Sequence, residues 1–233
     1  MKNKIFTALF GVAVFFFIIT FSIGLPIYCR FFYYAQIIPL GLPDATGYDF
    51  ETIKAGFDEV MNFLTLPGFE FGTGVFKYTQ SGRAHFEDCK VLFDLNAIVL
   101  IISTALMVAL LILKKKKFIN FCRPFGMSVC FISAVSIFVV FALLGAIVAT
   151  DFDSAFVVFH HIFFPGKDNW QFSYADEIIK ALPQQFFMNC AILIASSIIV
   201  LSLAIIIYQL VKRHKNSKKV VEIEQKTSEK IEN

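Results

Sequence analysis

The chain has 233 residues, of which 57% are hydrophobic and only 17% charged, and it contains 30 Phe residues. A chain of this size cannot bury that much apolar surface within itself, and both fractions lie outside the range of ordinary globular domains. The composition therefore excludes a water-soluble fold, and the net charge of +3 is too small to indicate a nucleic-acid partner.

Four apolar stretches are long enough to cross a hydrocarbon core, which is about 30 Å thick and needs about 20 helical residues. They are residues 5–25, 91–113, 125–149 and 186–210. We therefore expect an all-α integral membrane protein with four transmembrane helices, all within a membrane domain of residues 1–212. The first stretch is too long for a signal peptide and no A-x-A site follows it, so we expect it to be retained.

The basic residues indicate the orientation of these helices. The N-terminal tip, the loop between the second and third stretches and the C-terminal tail hold 14 of the 21 Lys and Arg residues. Positively charged segments stay on the cytoplasmic side, so both termini are expected there. Loops 26–90 and 151–185 then face outward, and the charged, aperiodic tail 213–233 is expected to be disordered.

Both outer loops carry segments that are apolar but too short to span. Residues 49–64 show an amphipathic helical stripe with Asp49 as its cap, and this helix would either lie in the headgroup layer or pack on the loop's own core. The aromatic cluster of residues 28–34 is typical of an interfacial belt. In the second loop, the run Phe156–Phe164 is about nine residues long, which predicts a short interfacial helix or a re-entrant turn.

Three of the four histidines lie in the outer loops next to the ends of the apolar stretches. If helix already begins at His85, then Asp88 and Asn96 share its face. His160 lies in the short apolar run, where an ionisable group is costly and usually has a partner or a function. We therefore expect His85 and His160 to meet at one outer site.

Other polar residues have less specific interpretations. Asn189 shares a face with Gln185 on the fourth stretch, which favours hydrogen bonds between helices. Trp170 is expected to anchor the chain at the interface. The five cysteines lack the spacing of a metal site, so no metal or cofactor is expected, and a bond between Cys29 and Cys89 remains an alternative to free thiols.

The order of these motifs resembles a known family. His-x-x-Asp at 85–88, Phe-His-x-Ile-Phe-Phe at 159–164, Trp-x-Phe at 170–172 and Leu-Pro-x-x-Phe-Phe at 182–187 resemble the lipoprotein intramolecular transacylase (Lit) family of low-GC Gram-positive bacteria. The resemblance covers about residues 1–212. The chain departs from the family pattern at Cys89, where an aliphatic residue is usual.

The resemblance implies an enzyme that moves the sn-2 acyl chain of a diacylglyceryl lipoprotein to the α-amino group of the same N-terminal Cys. The product is a lyso-form lipoprotein, the partners are diacylated bacterial lipoproteins and membrane lipid, and the active site faces the outer leaflet. His85 and His160 correspond to the essential histidines of the family. Supporting residues would be Asp88, Asn96, His161 and Asn189, and the substrate interface would include Phe159, Phe163, Phe164 and Trp170. The oligomeric state is left open.

The predicted chemistry requires a base, because a free α-amino group with a pKa of about 7.7–8.0 is mostly protonated at neutral pH. Imidazole is the side chain best suited to that task. One histidine would take the amine proton while the other stabilises the oxyanion or protonates the leaving oxygen, with Asp88 orienting His85. An acyl-enzyme on Cys89 or Ser81 is the mechanistic alternative, and a non-catalytic four-span accessory or signalling protein is the alternative function.

Overall fold

The structure is a computed structural model that describes the backbone of residues 2–232 and the side chains of residues 2–218. The described residues form helices and no strands, so the predicted all-α fold is confirmed. The helices are α1 (Lys2–Tyr28), α2 (Phe31–Tyr34), α3 (Leu42–Thr46), α4 (Phe50–Thr65), α5 (Gln80–Lys115), α6 (Val129–Thr150), α7 (Phe152–Phe163), α8 (Ile178–Ala181) and α9 (Gln184–Glu232), with one 3₁₀ turn at Pro124–Gly126.

Within the described residues, four helices are long and apolar enough to cross a membrane, namely α1, α5, α6 and α9. Each overlaps one of the stretches found in the sequence. Helix α6 begins a few residues later than predicted, at Val129, because Pro124 and Gly126 form the 3₁₀ turn and Ser128 caps the helix by accepting a hydrogen bond from the Phe131 N–H at 3.2 Å. Helix α5 has 36 residues, far more than a span needs, so residues 80–90 extend the helix at its N-terminal end beyond its apolar part at 91–113.

Helix α1 lies at the centre of the bundle, because it packs against α5, α6 and α9. A side chain at Gly11 would collide with Val129 on α6, and the Ser133 hydroxyl donates a hydrogen bond to the Gly11 carbonyl at 3.0 Å. A small residue thus lets two spans approach closely, as is common in membrane helix packing. Around this contact, apolar side chains including Phe10, Ile18, Ile137 and Ile198 form one buried core.

A second core lies at the end of the bundle that carries loops 26–90 and 151–185, and it includes the amphipathic stripe of α4. Asp49 caps this helix by accepting a hydrogen bond from the Thr52 N–H at 2.8 Å, as predicted. The stripe is buried against side chains of the outer loops and the start of α9, so it packs on protein. Its members are Ile53, Phe57, Val60, Met61 and Leu64.

The prediction that residues 28–34 form an interfacial aromatic belt is wrong for Tyr33. Tyr33 is only 1% exposed and its ring stacks on Phe57 at 3.7 Å. Its hydroxyl donates a hydrogen bond to the Ala181 carbonyl at 2.7 Å, which satisfies the polar tip in the interior. Tyr33 therefore joins the two outer loops, whereas Phe31 and Tyr28 remain exposed.

The short apolar run of the second outer loop is helix α7, which follows α6 directly and is capped by Asp151. His160 is buried on this helix, while Phe159, Ile162 and Phe163 are exposed. These three apolar side chains are 45%, 66% and 49% exposed, so α7 has one face toward the protein and one exposed apolar face.

Helix α9 continues to Glu232. The disorder expected for residues 213–233 stays a prediction, because most of these side chains lie outside the described residues.

All five cysteines are free thiols, so Cys29 and Cys89 are not bonded to each other.

Candidate active site

The first turn of α5 is fixed to the second outer loop through the buried carboxylate of Asp176. This carboxylate accepts hydrogen bonds from the Thr79 N–H at 2.6 Å, the Thr79 hydroxyl at 3.1 Å and the Ser173 N–H at 3.0 Å. A side chain at Gly82 would collide with the Asp176 carboxylate. Burial disfavours the charge, but the hydrogen bonds outweigh it and lower the pKa of Asp176. This contact fixes the start of α5 against residues 173–176 and thereby the position of His85 on that helix.

His85 and His160 lie together, with ring centroids 5.7 Å apart. They are 6% and 5% exposed. Aromatic rings surround them: Phe164 lies 4.9 Å from His85 and 5.8 Å from His160, Phe172 meets His85 edge-on at 5.5 Å, and Trp170 stacks on His160 at 4.5 Å. The two imidazoles therefore share one small, apolar enclosure.

The tautomer of His160 follows from its hydrogen bond. Its Nδ1 lies 2.6 Å from the Phe156 carbonyl oxygen, and a carbonyl can only accept, so Nδ1 carries the proton. In the neutral ring Nε2 is then a free base. Burial lowers the pKa of His160, although the bond to Phe156 opposes that effect, so the ring is neutral at neutral pH.

His85 is also neutral at neutral pH. It precedes the apolar part of α5, and burial together with the neighbouring His160 lowers the pKa of His85 to about 4. Its Nε2 lies 3.4 Å from the Cys89 sulfur, while its Nδ1 is buried and has no hydrogen-bond partner within the described structure. The site thus contains two uncharged imidazoles that can each take a proton.

Asp88 shares the face of His85 but does not bond to it in the described part of the chain. Its carboxylate instead binds the Lys167 ammonium and accepts a hydrogen bond from Asn169 Nδ2 at 2.9 Å. Any orienting effect of Asp88 on His85 is therefore indirect. Lys167 and Asn169 were missed from the sequence, where the only signal is a short polar turn between two apolar motifs.

Three of the other predicted site residues, Phe159, His161 and Trp170, lie around His160. Phe159 meets His160 edge-on at 5.4 Å and packs against Phe163 at 4.6 Å. His161 is exposed, with its ring 5.9 Å from Trp170. Trp170 was predicted as an interfacial anchor, and its stack on His160 gives it a place in the site.

Two further candidates lie away from the histidines. Asn96 is buried toward α1, where its Nδ2 would be 3.8 Å from a Cβ placed on Gly24. Asn189 donates a hydrogen bond to the Gln36 side chain at 2.6 Å and accepts one from Gln185 at 3.1 Å. Both residues serve contacts between segments of the bundle.

The Cys89 thiol is poorly suited to nucleophilic attack. Burial, and to a smaller extent the charge of Asp88, raises the pKa of Cys89 to about 12. The reactive form of cysteine is the thiolate, which is scarce at neutral pH with such a pKa. This environment disfavours the acyl-enzyme alternative on Cys89.

The model of the family described as lipoprotein intramolecular transacylase Lit matches residues 8–187. The fold is similar to that of the membrane integral lipoprotein intramolecular transacylase Lit from Bacillus cereus, at 24% identity and a TM-score of 0.80, covering 94% of this chain and 98% of that one.

Two further structures of the Bacillus cereus protein, in which one histidine is replaced by arginine or by alanine, match with 23% identity, a TM-score of 0.72 and 92% coverage of this chain. The match covers 95% and 96% of the length of those two structures. No curated protein matches the sequence. Because the family model spans most of the chain, including both buried histidines, the predicted resemblance is confirmed, and the chain belongs to the lipoprotein intramolecular transacylase (Lit) family.

Proposed function

We propose that this protein is an intramolecular acyltransferase that moves the sn-2 acyl chain of a diacylglyceryl-Cys lipoprotein to the α-amino group of the same Cys. The observation that carries the proposal is the pair of buried, neutral imidazoles with ring centroids 5.7 Å apart, in a chain of the Lit family. His85 and His160 are the proposed catalytic residues.

Two neutral imidazoles match the proton balance of this reaction. The substrate amine begins mostly as an ammonium group with three protons, and the amide nitrogen of the product keeps one. One of the two released protons ends on the glyceryl oxygen when the ester C–O bond breaks, and the other passes to the solvent. One imidazole can therefore deprotonate the ammonium and later protonate the leaving oxygen, while the other takes the second proton as the C–N bond forms.

The enclosure supports aminolysis over hydrolysis. Both rings are less than a tenth exposed and are lined by Phe164, Phe172 and Trp170, so little water can compete with the amine. Amine and ester belong to one substrate molecule, and holding them together supplies a high effective concentration. No external acyl donor, metal or cofactor takes part in the proposed reaction.

The proposed orientation has both termini in the cytoplasm and the histidines at the outer leaflet. It is supported by the Lys and Arg residues of the tip, middle loop and tail. The substrate would be a diacylated lipoprotein held in membrane lipid, with its acyl chains near Phe159 and Phe163, which are exposed on α7 beside the catalytic pair. Of the supporting candidates, Asp88 would act on His85 indirectly and His161 lies at the edge of the site beside Trp170, whereas Asn96 and Asn189 would stabilise the bundle away from the histidines.

The test is to produce His85→Ala and His160→Ala in cells that lack other N-acylating activity, and to examine a lipoprotein N-terminus by mass spectrometry. We expect loss of about 10²-fold or more of lyso-lipoprotein formation in each variant, the range typical of general acid–base groups. His214→Ala, an exposed residue of α9, is the control and should form product normally. Normal product levels in both active-site variants would refute the assignment.

A further inference from the structure

The hydrogen bond between Asn169 and Asp88, together with the unpartnered polar atoms of Asn169 and His85, points to a role for a residue that sequence reasoning missed. Resting on the proposed function, we propose that Asn169 is a positioning residue whose carboxamide oxygen accepts a hydrogen bond from Nδ1–H of His85. This bond holds the ring in the tautomer that leaves Nε2 free to take a proton.

The orientation of the Asn169 amide follows from its bond to Asp88. Asn169 Nδ2 lies 2.9 Å from Asp88 Oδ2, and an ionised carboxylate only accepts hydrogen bonds. The NH₂ group must therefore point to Asp88, and Oδ1 points away from it. That oxygen is buried and has no partner in the described structure.

His85 supplies the complementary atom. Its Nδ1 is likewise buried and unpartnered among the described side chains, and the two side chains are near enough for Asn169 to raise the pKa of His85 against the effect of burial. Leaving both an amide oxygen and a ring nitrogen without partners in an apolar enclosure is costly. A small rotation of the amide or the ring joins them and satisfies both.

The turn after α7 thereby serves both histidines. Lys167 and Asn169 bind Asp88, and Trp170 stacks on His160. The resulting arrangement gives each ring an oxygen acceptor for Nδ1–H, the Phe156 carbonyl for His160 and the Asn169 carboxamide for His85. Both Nε2 atoms are then bases, as the proposed proton balance requires.

The same contacts influence the charged ring that forms during the reaction. When Nε2 of His85 takes a proton, the Asn169 oxygen accepts a hydrogen bond from a cation, which is stronger than one from a neutral ring. Asp88 favours this cation, whereas Lys167 and His160 oppose it. In the proposed arrangement Asn169 bridges the Asp88 carboxylate and the His85 ring, and so passes the effect of Asp88 to His85.

The tautomer can be measured without reference to activity. Full-length protein labelled with ¹⁵N-histidine would be placed in lipid bilayers at pH 7.5 and examined by solid-state NMR, with His85→Ala used to assign the signals. In the wild type we expect His85 to be protonated at Nδ1. In Asn169→Leu the Nε2–H form should gain at its expense, whereas Asn169→Gln, which keeps both the NH₂ donor for Asp88 and an acceptor oxygen for His85, should retain the Nδ1–H form.

Kinetics provide the second measurement. Loss of a hydrogen bond to a charged group predicts a rate about tenfold to a hundredfold lower in Asn169→Leu. In Asn169→Leu the lost hydrogen bond to the protonated ring should move the acid-side inflection of the rate to lower pH, whereas Asn169→Gln should stay close to the wild type. Asn216→Leu, at an exposed position of α9, is the matched control and should behave as wild type.

The inference is overturned if His85 of the wild type is protonated at Nε2, or if Asn169→Leu changes neither the tautomer nor the pH profile. If Asn169→Leu does not fold, the wild-type tautomer and Asn169→Gln still decide the question. Failure of the wild type to form any lyso-lipoprotein would instead refute the proposed function and leave the tautomer measurement intact.

Discussion

Replacement of Asp176 by alanine tests whether its carboxylate fixes the start of α5. Asp176 is 1% exposed and accepts three hydrogen bonds from Thr79 and Ser173. Asp176→Ala removes all of them and leaves the two backbone N–H groups without their partner. The first turn of α5 would then fray, and His85 would lose its fixed position one turn further along.

The expected cost follows from these contacts. Hydrogen bonds to charged groups contribute about 1.5–3 kcal/mol each, and an unsatisfied buried donor costs about 1–3 kcal/mol. These effects overlap, and water can enter the space left by the side chain. We therefore expect Asp176→Ala to lower the free energy of unfolding by about 3–5 kcal/mol.

The assay uses the single Trp residue of the chain, Trp170, whose fluorescence reports on the loop that Asp176 holds. Denaturant titration in detergent micelles would compare the wild type, Asp176→Ala and Glu177→Ala. Glu177 is the neighbouring carboxylate and binds the exposed Lys77, so its loss should matter little. Equal stability of the two variants would refute the reasoning.

The pH dependence of this contact has a definite sign. The pKa of Asp176 is lower in the folded protein than in the unfolded chain, so its contribution to stability is fully present above the ordinary carboxyl pKa of about 3.9. The contribution is lost as the pH falls through the lowered value. The difference between wild type and Asp176→Ala should therefore shrink only in strong acid.

Three further predictions concern the candidate active site. In proteoliposomes, Trp170→Ala should slow product formation by about 2- to 10-fold, because an aromatic pair contributes about 0.5–1.5 kcal/mol. Trp170→Phe should keep most of the rate. Equal rates in the two variants would argue against a role for the stack of residue 170 on His160. The pKa values of His85 and His160 lie below 6.5 in the folded protein, so the rate of product formation should show no histidine inflection near pH 6.5. The free energy of unfolding should fall as the pH drops below 6.5, because there only the unfolded chain binds these protons. An inflection of the rate at pH 6.5 would contradict this prediction. The protonated Cys89 thiol should form no acyl-thioester, so a hydroxylamine-sensitive acyl label that disappears in Cys89→Ala would refute the direct transfer.

The spans and the two principal histidines could be predicted because their signals are local. The length of an apolar run decides whether a helix can span the membrane, and a histidine within an apolar run is recognised from its immediate sequence neighbours. The cap of α4 at Asp49 was predictable for the same reason, since it depends on residues three positions apart.

Contacts across the outer loops were not predictable in this way. The bond between Asp88 and Asn169 joins residues 81 positions apart, and it depends on the path of the loop after α7. Tyr33 shows the same limit, because an interfacial aromatic and a core aromatic look alike in sequence. Only the packing of Phe57 and Ala181 around it places Tyr33 in the core.

The exposed apolar face of α7 has a kinetic consequence. Phe159, Ile162 and Phe163 lie on the outside of the helix that buries His160, and in the proposed function they would let an acylated substrate approach along the bilayer plane without leaving the lipid. Encounter is then diffusion in two dimensions, and turnover follows the mole fraction of lipoprotein in the bilayer. Added inert lipid should slow the enzyme even when the amount of substrate per volume is constant.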